Sequence, residues 1–322
     1  MAITPAELQR NDWLAGHLAA RGETFVRAEQ VRDNPAGAVF AIDTDRGRCY
    51  LKTCAGPSAH EPALSAALAA WFPQDVPAVL AVDPAQGWLL LDDAGPTLRE
   101  RIRAGDDRAR SVEMVRRFAA LQRNAAARVD DLLALGVPDR RQSRLPELFE
   151  SLLEDRAALH IGREEGVSEH DFARLQAFGP TLRALCDRLA ALGLPDTIQH
   201  DDFHSGNVAV RDDDYRLFDW GESFVGPPLG SLLIALRDAK WILEHDDALL
   251  DAMREAYLAA WSDFAPVERL DEAAAISFRL AALGRALSWW SVLQYADDAY
   301  RAENWDAVPY WLLTFLNDTP MD

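Results

Sequence analysis

His200-Asp201-Asp202-Phe203-His204-Ser205-Gly206-Asn207, with Phe218-Asp219-Trp220-Gly221 a little further on, is the stretch on which the reading of this chain turns. Short apolar runs flank it: Ile198-Gln199-His200 at its start, and Tyr215-Arg216-Leu217-Phe218 just ahead of Asp219. Both read as strands, in a region that otherwise reads as helix. A polar, strand-flanked loop that interrupts a helical region once is a place to look for chemistry, because loops on a rigid scaffold carry function.

The residue types suit phosphoryl transfer. An attacking hydroxyl needs a nearby proton acceptor. A triphosphate needs magnesium, a hard cation that takes oxygen ligands, usually one or two protein carboxylates plus phosphates and waters. Charge spreads over the transition state, so the site must be cationic and arranged in advance. Asp202 and Asn207 share one loop, a spacing that can aim a carboxylate at the hydroxyl and an amide oxygen at the metal. Asp219, on a separate strand end, can reach the same metal from the other side. Trp220 would anchor it by packing, and Gly221 would supply a flexible turn.

Outward from this loop the chain divides. Residues 110–127, 144–159, 169–192, 228–245, 247–262, 267–296 and 305–316 carry apolar residues at helical spacing. Upstream, 4–20 reads as one amphipathic helix with Leu8, Trp13, Leu14 and Leu18 on one side and Arg21-Gly22 as its stop. An extended run beginning at Thr24-Phe25-Val26 follows, then strands at 39–44 and 48–54, with Asn34-Pro35-Ala36-Gly37 and Asp45-Arg46-Gly47 as the turns, which predicts an antiparallel meander. A helix at 60–72 carries Glu61, and two more strands are expected at 76–82 and 88–91. Asp92-Asp93-Ala94-Gly95-Pro96 then breaks the pattern. The expected fold class is α+β in two lobes. Residues 1–95, with the leading helix, make a small antiparallel sheet with one helix. Residues 96–322 make a mostly helical lobe.

Bulk properties narrow the field. The chain has 322 residues, a formal charge of -19 and 49% hydrophobic residues, which are globular values. So acidic a surface repels phosphate backbones and argues against a nucleic-acid partner. It would suit a small cationic or neutral substrate, though acidity mostly serves solubility. Cys49, Cys54 and Cys186 form no metal-type cluster, and three thiols in that arrangement read as reduced and cytoplasmic. The opening Met1-Ala2-Ile3-Thr4 lacks a basic segment leading into an apolar run, so no signal peptide is expected. No apolar run approaches the ~20 residues that span a bilayer, so no membrane partner is expected. Lys52 and Lys240 are the only lysines among many arginines. A lysine that survives such a bias can be one that arginine cannot replace.

With these motifs quoted, the sequence resembles the aminoglycoside phosphotransferase family, grouped with choline, homoserine and fructosamine kinases within the protein-kinase-like fold. The family's catalytic loop is written H-G-D-x-x-x-x-N, matched here by His200, Asp202 and Asn207, and its later aspartate motif is matched by Asp219-Trp220-Gly221. The resemblance implies a magnesium-dependent kinase that passes the γ-phosphate of ATP or GTP to a substrate hydroxyl, acting as monomer or homodimer. It makes Asp202 the base, makes Asn207 and Asp219 the magnesium (Mg2+) ligands, and gives His200 the bracing of the loop. It places Lys52 at the α- and β-phosphates with Glu61 as its partner. It also makes Trp88–Asp93, with Leu91 and Asp92, the linker that meets the base edge. The acceptor would meet the helical lobe, with Trp220, Glu222, Asp238, Trp241, Trp289, Trp290, Tyr295, Asp297 and Asp298 as candidates. Asp201 stands where the family has glycine, and the Asn34–Ala38 turn holds a single glycine.

Two rival readings stay open at this level. One is a kinase fold that binds without catalysis, although Lys52, Asp202 and Asp219 are all present. The other is a metal hydrolase built on His200, Asp202 and His204.

Overall fold

The computed structural model describes residues 4–321, so Met1–Ile3 of the expected leaderless N-terminus, and Asp322, lie outside the described residues. Strands β1 (Phe25–Asn34), β2 (Gly37–Thr44), β3 (Arg48–Cys54), β4 (Val79–Asp83) and β5 (Trp88–Asp92) form one antiparallel sheet in the order β1-β2-β3-β5-β4. The first three strands are the expected meander. The last two are not a continuation of it, because β5 takes the place beside β3 and β4 lies at the edge. The intervening helix carries the chain to that far edge before β5 returns. At Gly37, φ is +140° and a Cβ would sit 1.7 Å from the Thr53 carbonyl oxygen, so only glycine closes this hairpin against β3.

The helices are α1 (Pro5–Leu8), α2 (Asp12–Ala20), α3 (Glu61–Trp71), α4 (Leu98–Arg103), α5 (Arg110–Ala125), α6 (Val129–Ala134) and α7 (Leu145–Glu154), followed by α8 (Glu169–Gln176), α9 (Gly179–Ala190), α10 (Leu232–Trp241), α11 (Asp247–Ala259), α12 (Val267–Tyr295), α13 (Asp298–Glu303) and α14 (Ala307–Asn317). Several expected helices divide. The single helix at 4–20 is two, because Asn11 accepts from the Leu14 amide and starts a new helix. The 169–192 segment breaks at Ala177–Phe178, ahead of Pro180. The 228–245 segment is helical only over Leu232–Trp241, after the Pro227-Pro228 pair.

Two apolar cores result. Leu8, Leu14 and Leu18 of α1 and α2 cover one face of the sheet, against Phe40, Ile42, Leu51 and Leu90. The larger core joins helices α4–α12 and α14 and also takes in Leu64 and Leu68 of α3. Alternation along β2 and β3 turns Val39 and its partner Lys52 to the other side of the sheet, toward the helical region. No helix among the described residues is long and apolar enough to cross a membrane.

Candidate active site

Two small two-stranded sheets build the polar loop. β6 (Thr197–His200) pairs with β9 (Ser223–Gly226), and β7 (Val208–Arg211) pairs with β8 (Asp214–Leu217). The strands expected at 198–200 and 215–218 are present but do not pair with each other. Each pairs with a short strand that the sequence reading did not find. The outcome is geometric: Asp202 follows β6, Asn207 precedes β7 and Asp219 follows β8, so the three meet at one end of the two small sheets.

His200 is fully buried. Its Nε2–H donates to the Phe218 carbonyl at 3.0 Å, and the Phe218 amide donates to the Asn207 carbonyl at 3.0 Å. The loop is thereby sewn to the residue just before Asp219. Burial lowers the His200 pKa, so the ring stays neutral and structural. Asp238 ties down the other side of the loop: it accepts from the Ser205 amide at 2.9 Å and from Arg99 at 2.6 Å. It was a candidate acceptor-side residue, but this buried bracing holds it away from that role.

Asp201 does not perturb the base as a free neighbour would. Its buried carboxylate accepts from Ser288 at 2.5 Å and lies 3.6 Å from Arg140. Arg285 donates to the Asp201 carbonyl and to Glu222 and stands 3.7 Å from the Asp202 carboxylate. The place of the family glycine is therefore filled by a buried ion network that joins the loop to α12.

Asp202 accepts from Asn207 Nδ2 at 3.2 Å and lies 3.3 Å from His204 Nε2. Burial works to raise its pKa, but the His204 hydrogen bond and the Arg285 charge outweigh it and hold the carboxyl well below its usual range. Burial likewise disfavours the His204 imidazolium, yet the bond to Asp202 raises the His204 pKa above 6.5. Stabilisation from this pair is therefore full below the unfolded value and fades as pH rises through the raised folded value. A His204→Gln variant should show a larger stability deficit at about pH 6 than at about pH 9, as read from urea midpoints. An equal deficit at both would remove the ion pair.

Asp219 sits in a left-handed conformation, φ 67° and ψ 55°, which is strained for a residue with a side chain. The carboxylate so aimed pairs with Lys52 through one oxygen and with Arg32 Nη1 at 2.7 Å through the other. Lys52 also holds Glu61 at 2.6 Å. Burial works against the Lys52 ammonium, but Asp219 and Glu61 together raise its pKa above the usual lysine value. Burial also opposes ionisation of Asp219, and Lys52 and Arg32 overcome this, leaving its pKa lowered to about 2. Gly221 is not a flexible turn. Its φ lies outside the left-handed region, and a Cβ there would come within 2.8 Å of Glu61 Oε2 and 2.7 Å of Ser58 Oγ, so a side chain would push both groups aside.

Two adjoining cavities meet at these groups. A cleft of about 510 Å³ runs from Pro77 and Leu91–Gly95 to Lys52, Asn207 and Asp219. A smaller pocket holds Asp202, Asp219, Ser58 and Glu222. The donor set fits magnesium. Asn207 Nδ2 donates to the Asp202 carbonyl at 2.9 Å, so its nitrogen is the end tied to the loop, and Asn207 and Asp219, an amide oxygen and a carboxylate, both line the cleft as hard donors. A zinc cluster is not formed: His200 Nε2 is spent on Phe218, His204 in its neutral form accepts from the Gly206 amide through Nδ1 at 3.0 Å, and no metal-type His/Cys/Asp/Glu group occurs among the described residues.

Sequence reasoning missed Arg32 and Arg285. Both act on residues far away in the chain, and neither stands in a motif. Glu222, one of the acceptor-side candidates, faces the small pocket, and burial raises its pKa to about 7 despite Arg285. Other acceptor candidates fall away: Trp241 is exposed, Asp297 caps α13 at the Tyr300 amide, and Trp290 donates to Asp155 outside both cavities.

A family model described as the phosphotransferase enzyme family matches residues 27–272. Solved structures with the same fold include an ethanolamine kinase from Plasmodium vivax, at 12% identity and TM-score 0.62, covering 90% of this chain and 81% of that one. A macrolide 2'-phosphotransferase from Brachybacterium faecium matches at 17% identity and TM-score 0.56, covering 92% and 98%. A choline kinase from Streptococcus pneumoniae matches at 15% identity and TM-score 0.56, covering 90% and 94%. Likeness at such identity establishes the fold alone. No curated protein sequence matches the chain.

Proposed function

The chain belongs to the phosphotransferase enzyme family, and on that premise we propose that it is a kinase carrying the γ-phosphate of ATP or GTP to a hydroxyl of a small molecule. The observation that carries this reading is the convergence of Asp202, Asp219 and Lys52 on two adjoining cavities. Residues 1–95 would supply the nucleotide lobe and 96–322 the catalytic and acceptor lobe. The base would lie along Leu91 and Asp92, with the phosphates at Lys52, which Glu61 holds in place.

Asp202 orients the acceptor hydroxyl and takes its proton. The low pKa of Asp202 makes it a weak base, so its larger share is orientation in a transition state with little bond formation to the nucleophile. Asn207 and Asp219 would hold magnesium, which supplies charge neutralisation on the phosphates when bound. His200 positions the loop without touching substrate. The acceptor would enter the pocket beside Glu222. That carboxylate, together with the acidic surface and the amino-alcohol substrates named for two of the similar structures, supports a hydroxylated amine as acceptor.

A coupled assay with magnesium and either ATP or GTP, run over hydroxylated amines, sugars and macrolides, tests this. Transfer to at least one acceptor, with a hydroxyl phosphate ester as product, is expected. Binding of nucleotide with no transfer to any acceptor and no slow hydrolysis would favour the non-catalytic reading.

A further inference from the structure

Arg32 has no part in the motifs. It stands on β1 where the register slips between Gln30 and Arg32, and such bulges re-aim a side chain. Its guanidinium and the Lys52 ammonium hold the two oxygens of Asp219 between them. The two cations are not equivalent. Lys52 is 15% exposed and is also held by Glu61; Arg32 is 49% exposed, and Asp219 is its ion-pair partner among the described residues. Half of the Arg32 side chain already meets solvent, so water can take over its charge as it leaves Asp219, a recourse that the enclosed Lys52 does not have.

Its position gives it somewhere to go. Arg32 lines both the wide cleft and the small pocket that holds Asp202. A triphosphate reaching from Leu91 toward Asp202 must pass this junction. A planar guanidinium matches two phosphate oxygens at once, which an ammonium does not.

Resting on the kinase reading, we infer that Arg32 has two stations. In the free protein it caps Asp219, and when a triphosphate binds it moves to the terminal phosphate and frees that carboxylate oxygen. The guanidinium exchanges one anion for another and stays neutralised throughout. A diphosphate lacks the terminal phosphate, so Arg32 reads donor from product and competes again for Asp219 once transfer is done.

Isothermal titration of the full chain tests this, with magnesium and the β,γ-imido analogues of ATP and GTP, and with ADP and GDP. The unaltered protein should bind the triphosphate analogue about tenfold or more tightly than the matching diphosphate, as a charge-assisted contact implies. Arg32→Gln should bring that ratio close to one, chiefly by weakening the triphosphate, and Arg32→Lys should recover only part of it. A ratio unchanged in Arg32→Gln, or an equal loss for both nucleotides, overturns the inference and leaves the kinase reading standing. Failure of the unaltered protein to bind any of the four overturns both.

Discussion

Replacing Asp202 with asparagine is expected to lower turnover by at least ~100-fold while nucleotide still binds. The substitution keeps shape and size. An asparagine oxygen can still accept from Asn207 or His204, so the loop has no reason to collapse. What it removes is the charge and the proton acceptor at the acceptor hydroxyl. A hundredfold loss corresponds to about 2.7 kcal/mol of transition-state stabilisation, a reasonable share for one positioned carboxylate. Nucleotide affinity should hold, because Lys52, Asp219 and the Leu91–Gly95 wall are untouched. Steady-state rates at saturating donor, paired with titration of the nucleotide, give both numbers. Turnover within a few-fold of the unaltered protein would take Asp202 out of the reaction.

The second large effect belongs to Asp219→Ala. Without this carboxylate the site loses the charged donor proposed for magnesium, and Lys52 and Arg32 both lose a partner. Magnesium-dependent nucleotide affinity is expected to fall by at least ~100-fold, since loss of one partner in a desolvated charge pair commonly costs several kcal/mol. Titration with and without magnesium separates this from a general loss of binding, because affinity in the presence of chelator should change far less. A magnesium effect of unchanged size would end the assignment of Asp219 as its ligand.

Much of this site could be read before any coordinates. The spacing of Asp202 and Asn207 and the placing of Lys52 at a strand end are local facts, and local facts survive folding. The pairing of β6 with β9 and of β7 with β8 was not readable in the same way. Strands of four residues carry too few side chains to announce a partner, and tertiary contact decides. The β3-β5 neighbourhood escaped for a similar reason, since nothing in 76–92 says which strand reaches the edge. Arg32 lies 187 residues from Asp219, and no periodicity spans such a gap. Asp201 read as an anomaly because its explanation, Ser288 and Arg140, lies in other elements.

Helix α3 follows the β3 strand in the chain, yet Leu64 and Leu68 root it among the large lobe's side chains, while the sheet has its own separate apolar filling. Glu61 thus rides on a helix that touches β4 and β5 and also reaches the larger core, so its bond to Lys52 stitches β3 to an element that straddles both fillings.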